Sequence, residues 1–178
     1  MLQRYNEKNE KQKTADSRQK FHIPDRELEN GFIKLINEQE WDWWCTFTTG
    51  YKMTLGSARR SMERLNDRLN ENVSPANLAW FGERYETKEG YHTHGFLKLF
   101  DRSLFEPVVL NGETVRSGNV GFDLVRKSWQ IVTKGQDKYN RIHLSEYNPK
   151  KGAAGYCVKY VTKGFSDWDI YMTQKKTR

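Results

Sequence analysis

The sequence predicts an α+β fold, in which helices pack on one side of a central antiparallel β-sheet. The length of 178 residues is near the usual size of one domain. Segments dense in aromatic and β-branched residues alternate with segments whose apolar residues recur every three or four positions. Residues 1–20 have almost no apolar side chains, so we predict a mobile polar arm followed by a single domain over residues 21–178.

The first three elements of the domain are a helix, a strand and a second helix. Apolar residues at helical spacing predict a short amphipathic helix over Glu27–Glu38. Aromatic and β-branched residues predict a buried strand over Trp41–Thr49. The clearest helical periodicity of the chain covers Leu55–Val73, and Ser74-Pro75 ends it.

A hairpin comes next. Strands over Leu78–Tyr85 and Tyr91–Leu99 flank the polar tip Thr87–Gly90, and this pattern is typical of an antiparallel pair. Residues 101–118 are predicted to form an irregular insertion, with a turn at Asn111-Gly112 between short strands.

The C-terminal part supplies a helix, a strand and a last helix. Helical spacing joins the apolar residues Phe122, Val125, Trp129 and Val132. Arg141–Tyr147 is predicted to be the fourth core strand, and the last helix is expected from about Lys151 to Lys163.

Composition argues against two classes of protein. Charged residues make up 30% of the chain, mean hydropathy is −0.93, and no run approaches the roughly eighteen apolar residues of a membrane helix. No apolar block follows the first basic residues, so we expect no secretory signal and an intracellular protein. Cys45 and Cys157 are too few for a disulfide scaffold, and both are expected to be reduced core residues.

Positive charge is concentrated in the C-terminal third. Residues 126–178 hold 12 Lys and Arg against 4 Asp and Glu, whereas the whole chain has a net charge of +7. A one-sided basic surface is typical of a protein that binds a polyanion, because neutralising phosphates releases condensed counterions. A role in solubility alone is the alternative.

Two histidines and a carboxylate form a candidate metal site. Side chains alternate between the faces of a strand, so His92 and His94 point the same way. Glu83 lies nine positions before His92, and a paired hairpin register brings its carboxylate to that face. Two imidazoles and one carboxylate are a suitable ligand set for a divalent metal. A His-x-His pattern by itself is more often a surface or hydrogen-bonded pair.

The last helix carries a second candidate site. At 100° per residue, one face holds two phenols and two ammonium groups, contributed by Tyr156, Lys159, Tyr160 and Lys163. A separate apolar stripe is formed by Ala154, Cys157, Val158 and Val161. Lysines three residues after each tyrosine can stabilise a phenolate and bind phosphate oxygens. A solvated basic face with two tyrosines at its edge is the alternative.

Three motifs in this order resemble those of the HUH endonuclease superfamily, which comprises replication initiators, relaxases and single-strand transposases that nick DNA through a tyrosine. Cys45–Thr49 resembles the first strand motif. Tyr91–Leu97 resembles the metal-binding motif, with Thr93 where the family usually has a larger apolar residue. Gly155–Lys163 resembles the nucleophile helix, and its paired Tyr-x-x-Lys units are most similar to those of phage and plasmid rolling-circle initiators.

The resemblance implies an HUH/Rep fold with an RRM-like layer sandwich, and it implies an enzyme, a DNA endonuclease and nucleotidyltransferase. The implied metal ligands, for Mn²⁺ or Mg²⁺, are His92, His94 and Glu83. The implied catalytic residues are Tyr156 and Tyr160 as nucleophiles, with Lys159 and Lys163 as partners that handle phosphate. The expected DNA contacts are Lys150, Lys151, Arg141 and Thr48.

The resemblance also implies partners and a location. The expected substrate is single-stranded DNA at a replication origin, with a host or separate helicase and a polymerase as further partners, in the cytoplasm of a prokaryotic host cell. No nucleotide cofactor is expected, and the sequence contains no Gly-x-x-x-x-Gly-Lys-Ser/Thr phosphate loop.

Other functions remain open at the level of sequence. A non-catalytic single-strand binder would use exposed aromatic residues as stacking platforms, with Trp43, Trp44, Phe47 and Tyr85 as the candidates. A metal-dependent hydrolase would let water attack instead of tyrosine, and an HUH transposase or relaxase would share the tyrosine chemistry. His143 and His22 are expected to have structural roles.

Overall fold

The computed structural model describes residues 26–106, 108–110, 113–116, 120–135, 140–162 and 167–173. The α-helices are α1 (Arg26–Asn37), α2 (Leu55–Asn72), α3 (Val120–Thr133) and α4 (Ala153–Thr162). The strands are β1 (Trp43–Phe47), β2 (Ala76–Arg84), β3 (Tyr91–Leu99), β4 (Val108–Leu110), β5 (Glu113–Arg116), β6 (Ile142–Glu146) and β7 (Trp168–Tyr171). Short 3₁₀ helices cover Arg102–Phe105 and Pro149–Lys151.

The α+β class predicted from the sequence is confirmed. Five strands form one sheet in the order β6-β1-β3-β2-β7, and every neighbouring pair is antiparallel. β4 and β5 form a separate two-stranded sheet inside the predicted insertion, whose turn at Asn111-Gly112 lies outside the described residues, as does the arm over residues 1–20. β7 is absent from the elements predicted by the sequence, because four residues with one charge in the middle carry too little alternation to identify a strand.

Helices cover both faces of the sheet, so the expectation of helices on one side is wrong. α2 and α3 cover one face, where Met62, Leu65 and Trp129 share a core with Trp80. α1 and α4 cover the other face, where Ile36, Ala154 and Cys157 pack with Ala79, Phe81 and Phe96. The physical reason lies in β2, where consecutive residues from Ala76 to Gly82 are all buried, so both faces of this strand need apolar cover.

Local sequence signals explain where α2 begins and why two strands approach so closely. Thr54 caps the helix in a reciprocal capping box with Ser57, which satisfies exposed backbone N–H groups. In the middle of β3, a Cβ on Gly95 would lie 2.6 Å from the carbonyl oxygen of Ala79 on β2. Only glycine fits this position without displacing the neighbouring strand.

Remaining features of the fold concern the cysteines and the edge strand. Cys45 and Cys157 are buried and free, as expected. The guanidinium of Arg59 on α2 binds the carboxylates of Asp167 and Asp169, and these ion pairs hold the edge strand β7 to α2. Among the residues that the structure describes, no helix has the length and the hydropathy needed to cross a membrane.

Candidate metal centre and tyrosine helix

The hairpin of β2 and β3 brings three candidate ligands to one face of the sheet. Glu83 is paired directly with His92, and His94 is paired with Phe81 two residues further along. Because side chains alternate along a strand, all three candidate ligands point to the face that α1 and α4 cover. The register expected from the nine-residue separation is therefore present. Glu86 lies beyond the end of β2, is exposed, and does not belong to this group.

The ligand atoms of these side chains converge. Oε2 of Glu83 lies 2.7 Å from Nε2 of His94 and 3.1 Å from Nε2 of His92, and the two Nε2 atoms are 3.0 Å apart. The three ligand atoms all lie within 4.8 Å of one another, so this group could hold a metal ion. Two imidazole nitrogens and one carboxylate oxygen are a donor set that divalent transition metals accept, with positions left for other ligands.

Neighbouring side chains fix the orientation of both imidazoles. Oγ1 of Thr46 on β1 lies 3.0 Å from Nδ1 of His94, and the indole of Trp44 stacks on the same ring at 5.1 Å with an interplanar angle of 3°. In the tautomer in which Nδ1–H donates to the threonine hydroxyl, Nε2 of His94 carries no proton and can bind a metal. Tyr85 stacks on His92 at 4.6 Å. Nδ1 of His92 is buried and has no hydrogen-bond partner among the described residues.

Burial keeps both imidazoles neutral. It lowers the pKa of His92, while the nearby Glu83 carboxylate acts in the opposite direction and only partly offsets this effect. Burial also lowers the pKa of His94, and the neighbouring His92 lowers it further. A metal binds the unprotonated ring nitrogen, so both histidines are in the form that a metal needs at neutral pH.

Tyr156 on α4 reaches this cluster directly. Its hydroxyl donates to both carboxylate oxygens of Glu83, at 3.1 Å and 2.9 Å. Its ring stands at right angles to those of His94, at 5.4 Å, and Trp44, at 6.2 Å. The side chain is still 39% exposed, so a ligand in solution can approach the phenol. Nζ of Lys159 lies 3.7 Å from the centroid of the Tyr156 ring, over its face.

The amphipathic character of α4 explains this placement. Ala154 and Cys157 of its apolar stripe lie in the core that α1 and α4 share, and Val158 is also buried, while the side chain of Val161 is outside the described residues. Gly152, in the left-handed conformation at φ 75°, ends the preceding 3₁₀ helix, and its carbonyl accepts from the backbone N–H of Tyr156. For the described side chains of α4, this division into a core face and a face that carries Tyr156 agrees with the helical spacing of the sequence. Tyr160 also lies in α4, but its side chain, like the whole of Lys163, is outside the described residues.

The residues expected to contact DNA lie in two places. Thr48 and Arg141 face each other across β1 and β6, where their backbones exchange hydrogen bonds of 2.9 Å and 3.2 Å. Lys150 and Lys151 are exposed on the 3₁₀ helix that precedes α4. The structure does not bring these lysines into the cluster around Glu83.

The sequence by itself indicates no role at the metal site for Thr46, and it suggests Trp44 and Tyr85 only as stacking platforms. All three residues hold the ligand imidazoles, through contacts between different strands or across the end of the hairpin. No single segment contains a signal for such contacts. The pairing of β1 with β3, which places Thr46 opposite His94, is the information needed to predict the contact between these two residues.

Comparison with known proteins gives no relative. No family model matches the chain. No curated protein and no solved structure matches it either. The geometry of the site therefore has to support a functional assignment by itself.

Proposed function

We propose that this protein is an HUH-type endonuclease that nicks and joins single-stranded DNA by transesterification through a 5′-phosphotyrosine, and that it initiates rolling-circle replication. One observation carries this proposal. The hydroxyl of Tyr156, on a C-terminal helix, donates to the carboxylate of Glu83, and this carboxylate also contacts the two histidines of the hairpin. A nucleophile and a metal site thus meet at one point although different elements supply them.

The proposed reaction exchanges one phosphoester bond for another. The phenol of Tyr156 loses its proton, its oxygen attacks the scissile phosphorus, and the bond from phosphorus to the 3′ oxygen breaks. The leaving 3′ oxygen takes up a proton, and the 5′ phosphate remains on the tyrosine. No oxidant and no nucleotide is consumed, because the ester energy is kept in the phosphotyrosine bond. The reverse reaction then joins a free 3′-OH to the same phosphate.

Charge in the site supports an anionic substrate. The Lys159 ammonium lies over the face of the Tyr156 ring, where it can approach a bound phosphate and stabilise negative charge that develops there. Mn²⁺ or Mg²⁺ held by Glu83, His92 and His94 would act as a Lewis acid on the scissile phosphate. The neutral histidines leave most of the charge of a divalent ion uncompensated, so the site attracts a phosphodiester rather than repelling it.

The second half of the tyrosine helix completes the proposal. Tyr160 follows Tyr156 by four residues, which places the two Cα atoms roughly one helical turn apart on the same side of α4. We propose that Tyr160 attacks the regenerated origin while Tyr156 holds the displaced 5′ end, and that Lys163 assists Tyr160 as Lys159 assists Tyr156. A separate helicase and a polymerase would unwind and copy the template.

The rival functions explain less of the site. Trp43 and Phe47 are buried in the core, at 7% and 0% exposure, so they cannot act as stacking platforms for a non-catalytic binder. Trp44 and Tyr85 already stack on the ligand imidazoles. A hydrolase that uses water has no need for a phenol on the ligand carboxylate. Relaxases and transposases share the chemistry, and the paired tyrosines favour an initiator.

The direct test is adduct formation. The protein is incubated with a pool of random-sequence single-stranded oligonucleotides labelled at the 3′ end, with Mn²⁺, and separated by denaturing electrophoresis. We expect a labelled band at the size of the protein plus DNA, which disappears with EDTA and with the His92→Ala, His94→Ala double variant. Cleavage that yields only free 5′-phosphate ends would support the hydrolase, and binding without cleavage would support the non-catalytic binder.

A further inference from the structure

The sheet face that carries the metal ligands extends beyond them onto β1 and β6. α1 and α4 cover this face at β2 and β3, where they pack with Ala79, Phe81 and Phe96. On β6, His143 points to this face and is exposed, whereas Ser145, which points the same way, is half-buried with its hydroxyl on the carbonyl of Trp44. In the ranges of the chain that the structure describes, an uncovered strip of sheet at His143 therefore lies next to the proposed reaction centre.

The pairing of the strands places residues of this strip at defined distances from the metal ligands. Thr46 on β1 is paired with His94 on one side and with His143 on the other, so the three residues form one row across the sheet. Neighbouring strands lie about 4.8 Å apart, so the backbone at His143 is about 10 Å from the backbone at His94. Arg141 precedes β6 and lies opposite Thr48, two residues from His143.

Alternation along β6 separates polar donors from apolar and acidic groups. Ile142 and Leu144 pack into the core with α2 and α3, on the other face of the sheet. Glu146 has the same parity as these two residues, so it also belongs to that other face. Arg141 and His143 have the opposite parity, and both are exposed. The strip beside the metal ligands thus presents a guanidinium and an imidazole without a β6 carboxylate.

We propose that this strip binds the sugar-phosphate backbone of the single-stranded substrate next to the scissile phosphate, with Arg141 and His143 each contacting one phosphate. Residues two positions apart on a strand are about 7 Å apart, a separation comparable with that of successive phosphates in an extended strand. The guanidinium matches phosphate oxygens with two parallel hydrogen bonds, and the imidazole donates one. His143, for which the sequence predicted a structural role, is thus a substrate-binding residue. The inference rests on the proposed function, because it places the reacting phosphate at the metal ligands.

The strip favours the nucleic-acid backbone over an acidic protein segment. Hydroxyls of Thr46 and Thr48 line it between the ligands and β6, and both are engaged within the sheet, with His94 and with the carbonyl of Arg141. Within the described part of the chain, no side-chain partner is seen for the donors of Arg141 and His143, which are both exposed and are spaced along the strand direction. This arrangement suits a chain that carries one anionic group at each regular step.

The test compares variants in binding to a fluorescein-labelled oligo(dT) by anisotropy, in EDTA so that no cleavage occurs. We expect Arg141→Ala to weaken binding about tenfold and to reduce the slope of log affinity against log salt by roughly 0.7, as for one lost phosphate contact on a single strand. His143→Ala should weaken binding several-fold, and His143→Gln should restore most of the loss because its amide also donates. The matched control is Lys127→Ala, an exposed cation on α3 at the other face of the sheet, which should bind like the wild type.

Each outcome separates this inference from the proposed function. If the wild-type protein forms the covalent adduct and the variants of Arg141 and His143 bind no worse than Lys127→Ala, the strip is not the binding surface and the proposed function stands. If no adduct forms with any oligonucleotide but these variants weaken binding as expected, the strip is confirmed as a nucleic-acid surface and the catalytic proposal fails. A wild-type protein that does not bind oligo(dT) overturns the inference.

Discussion

Replacing Thr46 by valine tests whether the metal site depends on the contact that orients His94. The hydroxyl lies 3.0 Å from Nδ1 of His94, an imidazole that is only 9% exposed. Valine has nearly the same shape but leaves the Nδ1 proton without an acceptor in a buried place, at a cost of about 1–3 kcal/mol. Loss of such an outer contact typically reduces metal affinity about 10- to 100-fold, which corresponds to about 1.4–2.8 kcal/mol. The two magnitudes agree, so we expect Thr46→Val to decrease Mn²⁺ affinity by about 10- to 100-fold.

Isothermal titration calorimetry of the EDTA-treated, dialysed protein with Mn²⁺ measures the effect of Thr46→Val. Ser145→Ala is the control, since it removes another half-buried hydroxyl near the same strand, one that contacts the carbonyl of Trp44 and no ligand. Circular dichroism confirms that both variants are folded. The reasoning is refuted if Thr46→Val binds Mn²⁺ within about twofold of the wild type, or if Ser145→Ala weakens binding equally.

Three further predictions follow from the hairpin. Glu83→Gln should weaken Mn²⁺ binding at least about 100-fold, since it removes the anionic ligand, whereas Glu86→Gln, at an exposed position, should have no effect in the same titration. If Glu86→Gln weakens binding and Glu83→Gln does not, the hairpin register is wrong. Gly95→Ala should lower the free energy of unfolding, measured in urea, by about 1–3 kcal/mol or more, because the new Cβ meets the carbonyl of Ala79. The control Gly31→Ala, in the exposed part of α1, should raise the free energy of unfolding by about 0.5–1 kcal/mol, and similar effects of the two changes would contradict the packing described for β3. In EDTA the urea concentration at the unfolding midpoint should fall as the pH is lowered from about 7.5 to about 5.5. Burial lowers the pKa of His92 and His94 below the unfolded value of about 6.5, so the unfolded state binds more protons in this range of pH. A midpoint that rises on acidification would contradict the direction of these pKa shifts.

Much of the fold follows from local periodicity in the sequence. The helices and the hairpin strands begin and end within a few residues of their predicted bounds, because apolar spacing and turn residues act locally. The side of the sheet that each helix covers depends instead on pairings between distant segments. In β2, the consecutive apolar residues Leu78, Ala79 and Trp80 are the sequence signal for a strand that is covered on both faces, and the structure shows that all three are buried.

The candidate site was predictable as far as single segments determine it. His92 and His94 share a face because they are two residues apart on a strand, and the hairpin register brings Glu83 opposite them. The hydrogen bond from Tyr156 to Glu83 could not be predicted, because it depends on how α4 packs on the sheet. The contact of Thr46 with His94 is likewise a property of the order of the strands.

Tyrosine attack on DNA is the central claim, and one comparison tests it most directly. Wild-type protein, Tyr156→Phe and the control Tyr51→Phe, which alters an exposed tyrosine outside the metal cluster, are each incubated with the 3′-labelled oligonucleotide pool and Mn²⁺ and separated under denaturing conditions. We expect a covalent adduct for the wild type and Tyr51→Phe, and its loss or strong reduction for Tyr156→Phe, because the phenyl ring has no oxygen to attack phosphorus. An undiminished adduct in Tyr156→Phe would contradict the role of Tyr156, and an undiminished adduct in the Tyr156→Phe, Tyr160→Phe double variant, tested in the same way, would contradict tyrosine attack itself.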